Sequence, residues 1–380
     1  MIAGRTILCF ASGYDAPPTS KHHVMGLLSA RNRVLWVNYH ASRRPSASPA
    51  DLAGMAGKLR RVFGGVAKAR GDLYVLTPLV IPLPGAAWAR RANRALLLGQ
   101  IRSVLSRLRS GPVQVWSFTP DIAYLLDGLE REKVVYYCVD DFASFAGYAR
   151  RQVRRDEAEL CRRADLVVTS SAALQRAKRA LNPRTILVPH GVGYHHFARA
   201  VSEDLPVPED LAGIPRPRLG FFGLIREWVD LELLKAAAAA MPDWHFVFLG
   251  DAAVDLSGCR GLANMHFLGR KPYAQLPAYC RQFDVGLIPF KVNRLTRAVN
   301  PIKLREYLAA GLPVVSTPMP EARRYERFVR IIRTPEALVA AVEGLLVEDP
   351  GQRRLRSESM AGETWPRKLE RICQALNGGR

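Results

Sequence analysis

The sequence lacks the features that mark membrane-spanning, secreted and metal-stabilised proteins. No apolar run reaches the roughly 18 residues that a membrane-spanning helix needs. The first apolar stretch, 6–12, soon turns polar and predicts a buried strand, not a signal peptide. The six cysteines are scattered, with no Cys-x-x-Cys pair, which argues against disulfides and structural zinc and predicts a reducing, cytoplasmic location.

Acidic residues are scarce in the first half of the chain. Residues 1–200 hold 30 Lys or Arg and 13 Asp or Glu, a net charge of +17, whereas residues 201–380 hold 25 and 21, a net charge of +4. This asymmetry predicts contact with an anionic surface, and a generally Arg-rich, solvated surface is the alternative. Nucleic acid is not expected, because no recognised motif or aromatic platform accompanies the charge.

Two basic segments carry much of this charge. Residues 86–110 contain six Arg and no acid, and residues 58–70 add five basic side chains. The longer segment also has apolar residues at roughly helical spacing, namely Trp88, Ala92, Leu96, Ile101, Val104, Leu105 and Leu108. Basic amphipathic helices bind anionic membranes, so we expect a peripheral position on the inner face of the plasma membrane. The alternative is an ordinary helix whose apolar stripe packs on a sheet.

Short apolar strands alternate with helical segments along the chain, which predicts two doubly wound α/β domains. The predicted strands are 6–12, 33–39, 73–78, 113–118, 133–139, 165–171 and 185–191, then 219–225, 245–251, 264–270, 285–290, 313–317 and 329–334. A Pro-rich stretch separates the two sets and predicts a linker. The expected divisions are an N-terminal domain (1–200), a linker (201–217), a second domain (218–360) and a C-terminal helix (361–380) packing back toward the first. Ligands are expected at the carboxyl ends of strands, in a cleft between the domains.

The stretch NPIKLREYLAAGLPVVST (300–317) has the properties of an anion site. Asn300 is expected to cap a helix with Pro301 at its first position, and Gly311 to end it. Lys303 lies in the first turn, where free N–H groups already favour a diphosphate. Glu306 shares its face and can accept two hydrogen bonds from a ribose diol. A plain surface Lys–Glu pair is the alternative.

The same stretch resembles the signature of GT-B glycosyltransferases of the group 1, or family 4, type. VPHGV (188–192), 220–251 and 264–290 resemble further parts of that family in the same order. The similarity covers about 185–320 and is nearest to bacterial teichuronic-acid and exopolysaccharide transferases, including xanthan glucuronosyltransferase. It implies two Rossmann-like domains, a nucleotide-sugar donor, of which UDP is the first choice, and no need for a metal or other cofactor.

The sequence also departs from the family. Where many members carry a Glu that contacts the donor sugar, this chain has Ala298. Arg226 matches a family Arg, but the Lys expected five or six residues later is absent, and Lys303 is a candidate replacement. Gly223 would allow close approach to the diphosphate. The resemblance places Lys271 and Tyr273 near the base of the bound nucleotide. The donor sugar and the stereochemistry stay open.

Asp140 and Asp141 follow a buried strand of the first domain and are the candidate catalytic bases, with Asp141 slightly preferred. Adjacent carboxylates raise each other's pKa, which suits a base near neutrality. At least one of them is expected only to cap the next helix, and a retaining mechanism would need neither. In the loop after the first strand, Gly13 could approach the diphosphate.

Lys21, His22 and His23, which end the same stretch, are weaker candidates for contact with the acceptor or the donor. For the two His, the start of a helix is the preferred interpretation. His190 is expected to be structural.

The sequence therefore predicts a glycosyltransferase that acts on a lipid-linked or polysaccharide acceptor, with a slight preference for inversion. The alternatives are a GT-B nucleotide-sugar epimerase and a non-catalytic scaffold that binds membranes or nucleic acid.

Overall fold

The computed structural model describes residues 2–39, 65–81, 83 and 86–378. These residues form two compact units, which are described separately. Unit 1 contains Met1–Pro189 and Lys368–Arg380, and unit 2 contains His190–Arg367. Of the described helices, none has the length and hydropathy that crossing a bilayer requires.

Unit 1 is built on an eight-stranded sheet of order β3-β4-β2-β1-β5-β6-β7-β8. The strands are β1 Thr6–Ala11, β2 Arg33–Asn38, β3 Val66–Arg70, β4 Leu73–Leu76, β5 Val113–Ser117, β6 Arg131–Cys138, β7 Leu166–Thr169 and β8 Thr185–Leu187. Pairing is parallel except between β3 and β4. The order β4-β2-β1-β5-β6-β7 is that of a doubly wound fold, whose switch point lies between β1 and β5.

Among the residues that the structure describes, five α-helices belong to unit 1 in whole or in part. They are α1 Ser20–Leu28, α2 Ala87–Arg107, α3 Arg150–Arg163, α4 Ala172–Arg179 and the C-terminal helix α13 Trp365–Asn377, which crosses from unit 2 into unit 1. The central strands are buried along almost their whole length, which explains why they are continuous apolar runs in the sequence.

Unit 2 has a six-stranded sheet of order β11-β10-β9-β12-β13-β14, in which all pairs are parallel. Its strands are β9 Arg218–Phe222, β10 His245–Leu249, β11 Met265–Phe267, β12 Val285–Ile288, β13 Val314–Ser316 and β14 Val329–Ile331. Its helices are α5 Tyr194–Ser202, α6 Glu209–Ala212, α7 Leu231–Ala240, α8 Leu276–Gln282, α9 Ile302–Ala309, α10 Pro320–Arg323, α11 Pro335–Leu346 and α12 Gly351–Ser359. The switch point lies between β9 and β12. The predicted pair of Rossmann-like domains is confirmed.

The basic segments differ from their predicted form. Residues 58–70 were expected to contribute to a basic helical surface, but their described part, Val66–Arg70, is a largely exposed strand that pairs antiparallel with β4. Residues 58–64 lie outside the described residues. Lys68 and Arg70 on this edge strand keep its unpaired side charged, as edge strands commonly do.

Helix α2 exists as predicted, but its apolar residues do not form a single face. Ile101 and Val104 are buried, whereas Trp88 is 59% exposed and Leu96 is 37% exposed. The buried face is instead centred on Ala89, Asn93, Leu97, Leu98, Ile101 and Val104. Roughly helical spacing fits both faces of a helix this rich in alanine and leucine, so spacing alone misassigned Trp88 and Leu96.

Amide side chains of α2 hold the preceding segment along the helix. The Asn93 amide donates to the Ile81 carbonyl at 3.0 Å and accepts from the Ile81 N–H at 2.7 Å. Gln100 makes the same pair of bonds with Leu79. The segment therefore lies beside α2 and exposes Leu79 and Leu83.

Candidate active site

Helix α9 places the predicted anion site at the carboxyl edge of the unit 2 sheet. The helix begins at Ile302 with Pro301 at the cap position, one residue later than predicted, so the prediction that Asn300 caps it is wrong. At the other end Gly311 has φ +77° and donates to the Leu308 carbonyl, while Leu312 donates to that of Tyr307. These bonds form a Schellman motif, which confirms Gly311 as the stop.

Lys303 projects from the first turn of α9 to the end of strand β9. Its Nζ lies 4.4 Å from the ring centre of Phe221 and 4.8 Å from that of Phe290. A Cβ built on Gly223 would lie 2.9 Å from the same nitrogen. The ammonium is therefore held between two aromatic rings, directly beside the first residue after β9.

Gly223 is a glycine for one further reason, and it requires a glycine at position 250 as well. Its φ of +127° is a conformation that side chains disfavour. Its carbonyl oxygen also lies so close to Gly250 that a Cβ there would come within 2.1 Å of it. The loops after β9 and β10 thus approach each other through backbone alone, and the N–H groups of Gly223 and Gly250 donate to the carbonyls of Leu249 and Gly269.

Glu306 follows Lys303 by one turn and is 6% exposed. Burial raises the pKa of its carboxyl to about 8, partly offset by the nearby Lys303 ammonium. Burial lowers the pKa of Lys303 to about 8, and Glu306 opposes that shift. Without a ligand, desolvation thus works against both charges, and a diphosphate beside Lys303 would favour its charged form.

A buried polar network beside α9 was not predicted. Arg305 is 1% exposed and donates to the Asn300 side-chain oxygen at 2.6 Å. The Asn300 amide nitrogen in turn donates to Glu321 at 3.0 Å. Glu363 lies 3.7 Å from Arg305 Nε, and the guanidinium lies 5.3 Å from the centre of the Tyr325 ring. The only sequence signal for this network was a charged residue beside apolar ones in a helix expected to pack on a sheet.

Arg226 lies in the loop between β9 and α7. Its guanidinium is 5.7 Å from the centre of the Trp228 ring. Its Nε is buried and has no hydrogen-bond partner among the described residues. This loop is tied to the end of β12, because Lys291 N–H donates to the Trp228 carbonyl at 2.8 Å. Arg226 therefore lies on the loop after β9 and Lys303 in the first turn of α9, beside the switch point of unit 2.

Lys271 and Tyr273, the two residues expected near the nucleotide base, contact other side chains. Lys271 pairs with Asp210 at 2.5 Å, and the Tyr279 hydroxyl donates to the same carboxyl at 2.6 Å. Tyr273 stacks on His196 with ring centres 4.6 Å apart. Burial raises the pKa of the Tyr273 hydroxyl, and the Glu306 carboxyl adds to the rise. The Glu306 carboxyl thus affects the pKa of Tyr273. Contact of Lys271 and Tyr273 with the nucleotide base stays a prediction.

In unit 1, Asp140 follows strand β6 and Lys21 lies in the first turn of α1, and each affects the pKa of the other. Burial raises the pKa of Asp140 to about 6; Lys21 opposes the rise and Asp141 adds to it. Burial lowers the pKa of Lys21 to about 8, which the Cys9 thiol and Asp140 partly offset. Asp140 is therefore a carboxyl whose pKa lies close to neutrality.

Asp141 occupies the cap position of the short 3₁₀ helix Phe142–Ser144. Its carboxyl accepts from the Ser144 hydroxyl at 2.6 Å, and its carbonyl accepts from the Ser144 N–H at 2.8 Å. The expectation that one of the two aspartates has a capping role therefore fits Asp141. Because the Asp141 carboxyl is engaged by Ser144, Asp140 is the alternative to the predicted preference for Asp141, and the identity of the base stays a prediction.

His22 and Gly13 lie near the end of β1. The Thr19 N–H donates to His22 Nδ1 at 3.0 Å, and His22 Nε2 donates to the Tyr14 carbonyl at 3.0 Å. Burial lowers the pKa of His22 to about 4, and Lys21 lowers it further. His22 is therefore neutral, makes two hydrogen bonds through its ring, and serves to start helix α1. A Cβ on Gly13 would meet nothing within 4 Å, so this glycine is not required by packing.

His190 is 4% exposed and packs against Trp365, with ring centres 5.9 Å apart. Such burial agrees with a structural role.

Comparison with known proteins identifies the domain that carries this site. Residues 216–348 match the family described as glycosyl transferases group 1, so unit 2 contains a domain of that family. A Bacillus subtilis (strain 168) protein named as a teichuronic acid biosynthesis glycosyltransferase, TuaH, is 28% identical over 229 residues. That match spans 56% of this chain and 57% of the relative, so it covers little more than half of either protein.

Solved structures share the fold over nearly the whole chain. Sucrose-phosphate synthase from Thermosynechococcus elongatus has a TM-score of 0.69 at 14% identity, with 98% of each chain covered. The Anabaena HepE protein, solved with UDP-glucose, has a TM-score of 0.67 at 15% identity, with 98% of this chain and 99% of the other covered. The predicted GT-B fold and the resemblance to group 1 glycosyltransferases are confirmed.

Proposed function

We propose that this chain is a glycosyltransferase that moves a sugar from a nucleoside diphosphate to an acceptor hydroxyl. The observation that carries the proposal is the site at the switch point of unit 2. Lys303, the N-terminal N–H groups of α9 and the side-chain-free backbone at Gly223 converge there. Such an arrangement can stabilise the negative charge that develops on a departing diphosphate.

UDP is the first choice of nucleotide. Glu306 would accept hydrogen bonds from the ribose hydroxyls, and Tyr273 would lie beside it. The structurally similar Anabaena protein was solved with UDP and with UDP-glucose, which supports this choice. Because Lys303 and Arg226 supply positive charge, we propose that the transfer needs no metal. Activity that survives a chelator such as EDTA would agree with this, and activity that requires added Mg²⁺ would contradict it.

Asp140 is proposed as the base that takes the acceptor proton in an inverting transfer. Its raised pKa keeps it basic enough to accept a proton and still ionised at neutral pH. Asp141 stays a candidate base, and Gly13 stays a candidate for close approach to the diphosphate. The anomeric configuration of the product, read by NMR, tests the proposal. Retention of configuration would remove the need for a base.

We assign acceptor recognition to residues 1–200 and donor binding to 218–360, with 201–217 as the linker and 361–380 as a helix returning to the first domain. The acceptor is proposed to be lipid-linked or a growing polysaccharide, because the first 200 residues carry a net charge of +17, the difference between 30 basic and 13 acidic residues. Four exposed apolar side chains in and beside α2 support contact with an anionic membrane: Leu79, Leu83, Trp88 and Leu96.

Vesicle co-sedimentation tests the membrane contact. The full chain is expected to bind vesicles containing about 30% anionic lipid, and Trp88→Ala with Leu96→Ala is expected to weaken that binding severalfold. Leu346→Ala with Leu355→Ala, which removes exposed apolar residues elsewhere, is the matched control. Equal loss in both double variants would contradict the assigned surface. Such membrane binding would place the enzyme peripherally on the cytoplasmic face of the plasma membrane.

Calorimetric titration with UDP, GDP, ADP and CDP tests the donor site. The wild type is expected to bind one of them, UDP, with micromolar affinity, and Lys303→Ala and Glu306→Ala are expected to lose that binding. Glu326→Ala, an exposed position near α10, is the control. Failure of all four nucleotides to bind would overturn the proposal and favour a non-catalytic scaffold. Conversion of a nucleotide-sugar without any acceptor would instead identify an epimerase.

A further inference from the structure

We propose that the Tyr307 hydroxyl positions the donor site, because it holds the end of strand β9 where the Lys303 ammonium meets Gly223. This inference rests on the diphosphate site proposed above and adds the residue that keeps the two sides of that site in register. Tyr307 belongs to α9 and follows Lys303 by one turn, so the two side chains lie on the same side of the helix. One helix therefore supplies both the cation and the group that holds the strand beside it.

Strand β9 loses its hydrogen-bonding neighbour on one side just before Gly223. Within the described residues, it pairs with β12 at Leu219 and Gly220 alone, whereas its pairing with β10 continues to Phe222. The Gly223 N–H donates to the Leu249 carbonyl of β10. Because successive N–H groups of a strand point to opposite sides, the Phe222 N–H points to the side from which β12 has departed.

Tyr307 supplies the acceptor that β12 no longer provides. Its hydroxyl oxygen accepts from the Phe222 N–H at 3.0 Å, and the two rings meet edge to face with their centres 4.7 Å apart. The Tyr307 side chain is fully buried, so water does not compete for this bond. A buried N–H without an acceptor is costly, and the bond therefore fixes the backbone one residue before Gly223.

Gly286 of strand β12 makes room for the Tyr307 ring. A Cβ built on this glycine would lie 2.8 Å from the ring, a separation that would force the ring to move. Gly286 also pairs with Gly220, at the last paired position between β9 and β12. The ring is thus inserted where the two strands separate, which is the switch point at which α/β sheets bind their ligands.

Lys303 and Tyr307 together contact three consecutive residues of unit 2. The Lys303 ammonium lies against the Phe221 ring and beside Gly223, and the Tyr307 hydroxyl holds Phe222 between them. Removing the hydroxyl would release the middle residue and let the end of β9 shift relative to α9. Because binding and catalysis depend steeply on such placement, a small shift would weaken the hold on a diphosphate.

The affinities for UDP and UMP, measured by calorimetry on the full chain, test this inference. Tyr307→Phe removes the hydroxyl and keeps the ring. The diphosphate is proposed to depend on the contact of Lys303 with Gly223, whereas the ribose is proposed to depend on Glu306. Tyr307→Phe is therefore expected to weaken UDP binding about tenfold and to change UMP binding by less than about twofold.

A matched control separates this effect from the general loss of a buried hydroxyl. Tyr39 in unit 1 is also buried, and its hydroxyl is hydrogen-bonded to that of Tyr124 at 3.0 Å. Tyr39→Phe should lower the melting temperature without changing the ratio of UDP to UMP affinity. A lower melting temperature alone in Tyr307→Phe, with an unchanged ratio, would show that its hydroxyl only stabilises the fold and would overturn the inference.

Gly286→Ala perturbs the same bond from the other side. Its methyl group would displace the Tyr307 ring while the hydroxyl stays in the protein, so the same selective loss of UDP affinity is expected. Gly344→Ala, at a glycine with open space around it, is the control and should leave both affinities unchanged. Equal losses of UDP and UMP affinity in Gly286→Ala would contradict a role specific to the diphosphate.

A measurement on the wild type decides if the variants do not fold. In NMR spectra of protein labelled with 15N at Phe and Gly, UDP is expected to shift the amide signals of both Phe222 and Gly223. UDP binding that leaves the Phe222 signal in place would overturn the inference while the transferase proposal stands. If UDP does not bind the wild type at all, the proposed function fails first, and the inference fails with it.

Discussion

The Lys303 ammonium and the backbone of Gly223 are in direct contact across the switch point of unit 2. No side chain fits between them, since a Cβ at position 223 would lie 2.9 Å from Nζ. The cation comes from the first turn of a helix and the glycine from the end of a strand, so their proximity depends on the packing of α9 against β9. This contact defines where a diphosphate could be held by one cation and by backbone N–H groups.

Substitution of Gly223 by Ala is expected to weaken UDP binding about tenfold to a hundredfold. The new methyl group would displace Lys303, and a φ of +127° would be strained with any side chain. Calorimetry of Gly223→Ala beside Gly261→Ala, a glycine with open space around it, measures the effect. Equal affinity in the two variants would show that the contact is not part of the donor site.

Glu306 is expected to make the stability of the protein depend on pH. Its pKa is raised from 4.5 to about 8 by burial, so the folded state binds the proton more tightly. Its contribution is complete below about pH 4.5 and is lost as the pH rises to about 8. The melting temperature of Glu306→Gln minus that of the wild type should therefore increase between pH 5 and pH 8.

A melting-temperature difference that stays constant between pH 5 and pH 8 would contradict a buried Glu306 carboxyl.

Lys303 affects stability at higher pH, because burial lowers its pKa from 10.5 to about 8. Its contribution is complete above about pH 10.5 and is lost as the pH falls to about 8. The two residues together predict a local minimum of stability near pH 8, which Lys303→Met would remove only on its alkaline side.

The strands and the end of α9 could be predicted because they depend on local sequence. Continuous apolar runs specify buried parallel strands, and Gly311 supplies the positive φ that a helix stop needs. Strand β3 was missed because its exposed, basic residues carry no apolar pattern. The outward direction of Trp88 and the partners of Arg305 could not be predicted, since both depend on which face of a helix meets the rest of its unit.

Arg305 is expected to be a major determinant of the stability of unit 2. Removing the guanidinium would leave the buried Asn300 oxygen without its donor, whereas Glu321 keeps its contacts with Asn300 and Arg324. Arg305→Met should lower the free energy of unfolding by about 1–3 kcal/mol, whereas Arg323→Met, at an exposed position, should change it by less than about 0.5 kcal/mol. Urea denaturation followed by fluorescence gives both values, and similar midpoints for the two variants would rule out the network as a stabilising element.

Lys21 is expected to set the pH at which the transferase becomes active. If Asp140 is the base, its protonated form is inactive, so kcat/KM should rise with pH through about 6. The Lys21 ammonium lowers the pKa of Asp140, and its removal in Lys21→Met should move this acid limb to higher pH while leaving UDP affinity unchanged. Asp140→Asn should abolish transfer, and Asp141→Asn should retain most of it because that carboxyl is bonded to Ser144. An acid limb that does not move in Lys21→Met, or a larger loss in Asp141→Asn than in Asp140→Asn, would show that the base lies elsewhere.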